Sequence, residues 1–418
     1  MKKIIVLALL CLLISATFCS VAFAANGTLC SETSRNAKLA FAASNVAETD
    51  RQTYCANDAL QNKNGTSNKT ASVSSNIAST LENKISLSAA NFALASTQNA
   101  VVEGEFSTTA QACCVMERSS ERVLFEKNAH QALPMASTTK IVTALTVLNN
   151  CANLERVVEV PRQACGVEGS SIYLREGEHL TVRELLLGLM LRSGNDCAVA
   201  LALEIGGSVE NFAALMNQTA ASLGCTESNF VTPHGLHDEN HYTTAADLAK
   251  ITCAALNNED FRQIVGTQRA KISNEGMDYQ RVLINKNKLL ASFDGADGVK
   301  TGYTKKAGRC FVGSATRNGM GVVVVVLNCG PMFEETAQML NTAFATYTLQ
   351  NVIPKHKLCG AEYIKGKPTY YFCEEAYYYP LKSSEKATLK ITLEKNVKQA
   401  EVFVDGARVH VQQLKSQK

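Results

Sequence analysis

The spacing of apolar positions changes along this chain, and the changes mark out its elements. From about Ala110 the apolar residues become periodic. Cys113 to Phe125 is apolar at both ends with a polar break over Glu117–Arg122, which predicts a hairpin. Ala136 to Leu148 has helical spacing. Thr181-Val182-Arg183-Glu184 has the form of a capping box. In such a box a Thr hydroxyl and a Glu carboxylate each satisfy a free backbone N–H at a helix start. It predicts a helix running to about Arg192. A second helix is expected from about Asp196 to the Gly206-Gly207 pair, a third from Ser208 to Gly224, and a fourth from near Thr244. Ser and Thr cap helix starts, and Gly relieves their ends.

After about residue 265 the period becomes two. Gly308 to Ala315 and Gly321 to Leu327 read as strands joined at Asn318-Gly319, a strong hairpin signal. Val322 to Val326 is apolar without interruption, so that strand should be covered on both faces. A closing helix is expected from Asn341 to about Gln350. From about Lys355 only strand patterns remain. Thr388 to Glu394 alternates, and Glu401 to Val411 alternates around an Asp405-Gly406 turn. The pattern is that of an α+β domain over 108–352, with strands at both ends and helices between, followed by a small all-β domain over 353–418. No amphipathic helix is predicted at the C-terminus, so the sequence gives no support for peripheral membrane contact.

The first hundred residues read differently. Met1-Lys2-Lys3, an apolar run from Ile4 to Ile14 and the ending Ala22-Phe23-Ala24 predict a secretory signal peptide over 1–24. The apolar run is shorter than the roughly 20 residues a membrane span needs. The expected location is therefore the cell envelope, outside the cytoplasmic membrane. Residues 25–107 are rich in Ala, Ser, Asn and Thr, and the composition favours a low-complexity spacer over a wall-binding module, with one helical stretch near 86–95. The formal charge of +3 falls to about +1 once Lys2 and Lys3 leave, which argues against a nucleic-acid partner. The chain holds 15 cysteines, 13 of them beyond the leader, with no regular spacing. Mostly free thiols are expected, since a buried thiol packs as a small hydrophobe.

Three short motifs carry the chemistry, in order: Ser137-Thr138-Thr139-Lys140, Ser193-Gly194-Asn195 and Lys300-Thr301-Gly302. Singly the first two are cheap. S-x-x-K recurs at Ser383/Lys386, and S-x-N recurs at Ser34/Asn36 and Ser74/Asn76. Order and spacing give the set its weight, because the steps of 56 and 107 residues leave room for a helical layer between first and last. Ser137 and Lys140 share a face if the segment is helical. At a helix start the Ser137 N–H lacks an intrahelical partner and sits at the positive end of the dipole, so it can stabilise an oxyanion. A serine hydroxyl needs a base to become a nucleophile. Lys140, among apolar neighbours and near a second ammonium such as Lys300, can lose its proton and serve as one. Ser193 and Asn195, at a break between helices, can pass protons and hold a substrate backbone. Gly302 lets that backbone lie close to a strand, while Lys300 and Thr301 can bind a terminal carboxylate. None of this chemistry calls for a cofactor.

These motifs, in longer strings, resemble the D-alanyl-D-alanine carboxypeptidases, the low-molecular-mass penicillin-binding proteins. The strings are Leu133-Pro134-Met135-Ala136-Ser137-Thr138-Thr139-Lys140, Leu191-Arg192-Ser193-Gly194-Asn195-Asp196, Pro233-His234-Gly235-Leu236, His241-Tyr242-Thr243-Thr244-Ala245 and Gly298-Val299-Lys300-Thr301-Gly302-Tyr303-Thr304. The resemblance spans about 110–350. It implies a β-lactamase/transpeptidase-like fold, an antiparallel sheet with a helical layer, and a small C-terminal β domain. It implies Ser137 as acyl-ester nucleophile, Lys140 as proton acceptor, assistance from Ser193 and Asn195, and an oxyanion hole from the N–H groups of Ser137 and Tyr303. The substrate so implied is the peptidoglycan stem peptide, and β-lactam antibiotics would be covalent inhibitors. The spacer at 25–107 departs from the family pattern.

A class A-like β-lactamase shares the motif set. The glutamate of such enzymes lies in an E-x-x-L-N string between the second and third motifs, and none occurs between Ser193 and Lys300. Slow release of penicillin is therefore expected. Endopeptidase or transpeptidase action on cross-linked stems stays open, because it passes through the same acyl-enzyme. His234, His237 and His241 have a spacing that metal ligands also show, but two of the three fall in strings that the family carries without metal.

Overall fold

The computed structural model describes residues 105–417. The expected leader over 1–24, nearly all of the spacer over 25–107 and its helical stretch near 86–95 lie outside the described residues. In chain order the elements begin with strands β1 (Ala112–Glu117) and β2 (Val123–Lys127), then a 3-10 turn at Ala136–Thr139 that leads directly into helix α1 (Lys140–Asn150). The short strands β3 (Val157–Glu159) and β4 (His179–Thr181) precede α2 (Val182–Leu187), a π-helical turn at Gly188–Arg192, α3 (Asn195–Gly206) and α4 (Val209–Ser222). Next come α5 (Ala245–Leu256), α6 (Glu259–Gly266), β5 (Arg269–Ile272), β6 (Arg281–Ile284) and the single turn α7 (Leu289–Ser292). The strands β7 (Ala296–Thr304), β8 (Gly308–Arg317) and β9 (Met320–Leu327) and the helix α8 (Met332–Thr346) complete the first domain.

The central sheet has the order β2-β1-β9-β8-β7 and is antiparallel throughout. All eight residues of β9 are buried. Alternation along it decides which layer each side chain meets. Val323, Val325 and Leu327 pack into the helical layer with Ile141, Val142 and Leu248, while Val322, Val324 and Val326 pack with Met339, Leu340 and Ala343 of α8. Burying a Val side chain contributes roughly 1.5–3 kcal/mol before entropy is counted, so the pentavaline run holds both layers to one strand. β7 lies at the edge of this sheet, with one side free to face a cleft.

The capping box forms as read: the Thr181 hydroxyl accepts from Glu184 N, and the Glu184 carboxylate accepts from Thr181 N at 2.9 Å. Ser208 caps α4 and Thr244 caps α5. Three helix expectations need correction. The segment expected as a helix from Ala136 begins as a 3-10 turn, because Ala136 sits at φ 51°, outside the helical region. The helix expected from Thr181 to Arg192 is α-helical only to Leu187. The closing helix expected over 341–350 instead runs Met332–Thr346. Pro331, with no N–H to leave unpaired, opens it, and Glu334 and Glu335 sit at its positive end. The α6 helix, capped by Asn258 Oδ1 on Phe261 N at 3.0 Å, was not foreseen.

The C-terminal β region runs through β10 (Thr348–Ile353), β11 (Lys357–Ile364), β12 (Lys367–Cys373), β13 (Tyr377–Leu381), β14 (Ala387–Glu394), β15 (Val397–Val404), β16 (Ala407–Gln413) and β17 (Lys415–Gln417). These pair as β10-β13, β11-β12-β17 and β14-β15-β16 around a core of Ile353, Tyr371, Cys373, Ala400, Val402 and Leu414. Since β10 pairs with β13, the C-terminal region begins at Thr348, a few residues before the sequence reading placed it. Arg122 joins it to the first domain. Its guanidinium donates to both Glu385 oxygens (2.5 and 2.9 Å) and to Pro380 O (2.6 Å), and it lies 5.1 Å from the ring centres of Tyr347 and Tyr379. Among the described residues, no single helix is long and apolar enough to cross a membrane.

Candidate active site

The 3-10 turn projects Ser137 into a cleft and drops Lys140 beneath it. Lys140 has no solvent exposure. Its Nζ donates to Ser137 Oγ at 3.0 Å, to Asn195 Oδ1 at 2.7 Å and to the His234 carbonyl at 2.7 Å. Burial, reinforced by the nearby Lys286 ammonium, lowers Lys140 to a pKa of about 7. Lysine placed so is a base near neutral pH.

Two loops hold this helix start. Pro233 O accepts from Thr143 Oγ1 at 2.7 Å, and His234 O accepts from Lys140. Gly235, at φ 83°, packs against the turn so closely that an added Cβ would lie 2.0 Å from Ala136 O. His241 completes the support. Its Nδ1 accepts from Val231 N (3.0 Å) and Thr232 N (3.3 Å), which leaves the proton on Nε2. Nε2 then donates to Thr139 Oγ1 at 2.8 Å, and that hydroxyl donates to Ala136 O at 2.8 Å. Burial lowers His241 to about 4 and His234 to about 3, so both are neutral. The histidines are thus used for positioning. Among the described residues no group of three His, Cys, Asp or Glu side chains could hold a metal ion.

The second motif is shaped by the π turn. Gly188 permits close packing there, since a Cβ would lie 2.6 Å from Cys197 Sγ. The turn ends at Ser193 in the left-handed region (φ 65°, ψ 34°), with its N–H on Gly188 O. This aims Ser193 at the cleft and starts α3 at Asn195. Asn195 bridges the site: Oδ1 takes the Lys140 bond, and Nδ2 donates to Glu168 O at 2.5 Å. Asp196 Oδ2 ties down the facing loop by accepting from Ser171 Oγ (2.5 Å), Ile172 N (3.0 Å) and Leu174 N (3.2 Å).

The third motif lies on edge strand β7. Gly302 lets the strand abut the 3-10 turn, because a Cβ there would lie 3.0 Å from Met135 O and 3.1 Å from both Ser137 N and Thr138 N. Lys300 is 1 % exposed, and its Nζ donates to Thr301 O at 2.9 Å. Burial, then the Lys140 and Lys286 charges, holds it well below the ordinary lysine range. A cleft of ≈ 540 Å³ lies above these groups, lined by Ser137, Ser193, Thr301, Gly302 and Tyr303, with Ser170 and Lys286 also present and Arg309, Met332 and Phe333 completing the wall. Lys140 is bonded to Ser137 Oγ and to Asn195, just inside the cleft. Lys300 is buried on β7, on the same strand face as Gly302 and near Lys140 and Lys286.

Of the eight residues singled out in the sequence, Ser137, Ser193, Thr301, Gly302 and Tyr303 line one cleft, Lys140 is hydrogen-bonded to Ser137 and Asn195 to Lys140, and Lys300 is buried on β7 near Lys140. Sequence reasoning missed the support: Gly235, His241, Thr139 and Asp196. The only signal for them was their place inside the longer strings. Lys286 and Arg309 carried no signal at all.

The profile of the D-alanyl-D-alanine carboxypeptidase family, peptidase S11, matches residues 95–330, just over half of the chain. D-alanyl-D-alanine carboxypeptidase DacF of Bacillus subtilis is 36% identical over 250 residues, which cover 58% of this chain and 64% of DacF, just under two thirds. DacB2 of Mycobacterium tuberculosis is 34% identical over 244 residues, covering 56% of this chain and 82% of that one. The solved Streptomyces K15 DD-transpeptidase superposes with a TM-score of 0.55 at 33% identity, over 58% of this chain and 99% of its own. Penicillin binding protein 5 from Haemophilus influenzae, at 24% identity, shares the fold with a TM-score of 0.66 over 75% of this chain and 98% of its own.

Proposed function

The chain belongs to the D-alanyl-D-alanine carboxypeptidase family, and on that premise we propose that it is a serine hydrolase removing the terminal D-alanine from peptidoglycan stem peptides. The observation that carries this is the 3.0 Å contact between Ser137 Oγ and a lysine whose pKa burial has brought to about 7. Lys140 accepts the Ser137 proton as Oγ attacks the penultimate carbonyl. The N–H groups of Ser137 and Tyr303 receive the developing oxyanion, which Gly302 makes reachable by bringing β7 against the turn. The D-alanine amine leaves with the proton, through Ser193, and an ester on Ser137 remains. Water then cleaves that ester, and Lys140 acts as base again.

The substrate carboxylate is met by Thr301 and Arg309 along the cleft, with the Lys300 ammonium buried beside Thr301. A carboxylate there favours the charged form of Lys300, and a charged Lys300 in turn favours neutral Lys140. A β-lactam opens on Ser137 by the same attack, but its ring fragment stays attached. With no glutamate string of the class A type between Ser193 and Lys300, the ester persists. The leader pattern at 1–24 supports action outside the cytoplasmic membrane. N-terminal sequencing of secreted protein starting at Ala25 would check that reading.

The deciding assay is free D-alanine from a pentapeptide stem, run beside fluorescent-penicillin labelling of the wild type and Ser137→Ala. D-alanine release and labelling by the wild type alone are expected. A wild type that labels but frees no D-alanine has the wrong substrate assigned, and a labelled Ser137→Ala protein has the wrong nucleophile. Adding an amine acceptor separates transpeptidation from hydrolysis at the same ester.

A further inference from the structure

The C-terminal β region holds the one thiol–thiol contact among the described residues: Cys359 Sγ and Cys373 Sγ lie 3.3 Å apart. The pair sits at an irregularity of the β11–β12 hairpin. Lys357 pairs with Cys373 and Leu358 with Phe372, but the next pair is Gly360 with Tyr371, so Cys359 is the extra residue of a bulge. Gly360 follows at φ 156°, and a Cβ there would lie 2.5 Å from Leu393 Cδ1, where the hairpin presses on β14. The bulge turns the Cys359 side chain back over the strand pair, toward Cys373. Cys373 is fully buried in the region's core, while Cys359 is half-buried at its edge.

We propose that Cys359 and Cys373 form a modification site, closed to a disulfide by exchange with a small-molecule disulfide outside the cytosol. The Cys359 thiolate attacks one sulfur of the incoming disulfide, and its S–S bond breaks. One small thiolate leaves and takes up a proton, and Cys359 carries a mixed disulfide. Cys373 then loses its proton to solvent and attacks Cys359 Sγ, expelling the second small thiol. Two protein thiols are oxidised and one small disulfide is reduced to two thiols. The sulfurs need only close from 3.3 Å to about 2.05 Å. Access sets the order of events. Cys359 is within reach of solvent and takes the first step, whereas burial and then the Cys359 contact push the Cys373 thiol up, so Cys373 does not compete for the incoming disulfide and attacks only once the mixed disulfide is held beside it.

The bond ties edge strand β11 to β12 across the bulge. It restricts the unfolded chain between residues 359 and 373, and it lies in a different domain from the catalytic cleft. The inference is independent of the activity proposed above. The test is to incubate the whole purified chain with glutathione disulfide, map its peptides without reduction and follow thermal unfolding. A Cys359–Cys373 cross-linked peptide is expected, with the unfolding of the C-terminal region raised by a few degrees and penicillin labelling unchanged. Neither change is expected in Cys359→Ser or in Cys373→Ala. A lasting glutathione adduct on Cys359, two thiols still reduced, or equal stabilisation of either variant would overturn the proposal.

Discussion

At the start of α1 a lysine with no solvent exposure is held by a serine, an asparagine and a carbonyl, and a second lysine lies 1 % exposed nearby. In the C-terminal β region Lys398 with Glu362 at 2.5 Å and Lys355 with Glu375 at 3.8 Å pair at the rim instead, and the buried Glu401 carboxylate is met by the exposed Arg408 at 2.9 Å, around a core of apolar and tyrosine side chains. Desolvating a charged group costs several kcal/mol. The first domain sustains that cost with a core running through β9, α1, α3 and α5, and the return is a base near neutral pH. The C-terminal region, with a small core, buries no lysine among the described residues, and its one buried carboxylate, Glu401, is paired with Arg408. The contrast shows why the chemistry lies in the larger domain: only a deep core can keep water from a lysine.

The comparison breaks most sharply at Lys140. Lys140→Met should lower acylation by penicillin by about 10³-fold or more, measured as the second-order rate, with the fold retained by circular dichroism. In the wild type the same rate should rise with pH up to about 7 and then level. The sign follows from the base: below about 7 Lys140 is protonated, and each further unit of acid removes about ten-fold. A rate flat from pH 5 to 9 would contradict the role of Lys140. A smaller effect is expected at Gly235→Ala, where the methyl would meet Ala136 O and shift the turn carrying Ser137. Misplacement on the 1 Å scale costs about 10²-fold, and the loss should appear in the acylation rate constant. Unchanged acylation would mean that the 233–235 loop does not position the nucleophile. The smallest effect on rate is expected from the C-terminal region. Val402→Ala should destabilise it by about 1–3 kcal/mol, seen as a lower denaturation midpoint, with D-alanine release unaltered. A matching fall in turnover would show that the two regions are coupled through Arg122.

Legibility follows the same division. Strands β14 to β16, the Asp405-Gly406 turn, the capping box at Thr181 and the doubly covered strand at Val322–Val326 are set by neighbours in sequence, and each was read directly, whereas β10 to β13 and β17 were read only as a β pattern. The pairing of Ser137 with Lys140 was also local, three residues apart. The support for that pair was not. His241 reaches Thr139 across 102 residues, and Lys140 reaches His234 across 94. The left-handed Ser193 follows from a π turn that exists because Gly188 packs on Cys197 and Ile172. The start of α8 was misread because its first turn, Met332-Phe333-Glu334-Glu335, shows no period until the sheet beneath it is known.

The order of residues by itself determined the three motifs, the apolar periods that separate a mixed domain from a β domain, and the nucleophile–base spacing. These depend on backbone periodicity and on chemistry carried by single side chains, which act over a few residues. The tertiary structure alone decided that Lys140 is dry, that Asn195 and His234 share its protons, that β7 touches the Ser137 turn, and that two thiols meet at a bulge. Burial, and with it a lysine's pKa, is a property of everything packed around a group, and that surrounding shell comes from segments up to a hundred residues or more away.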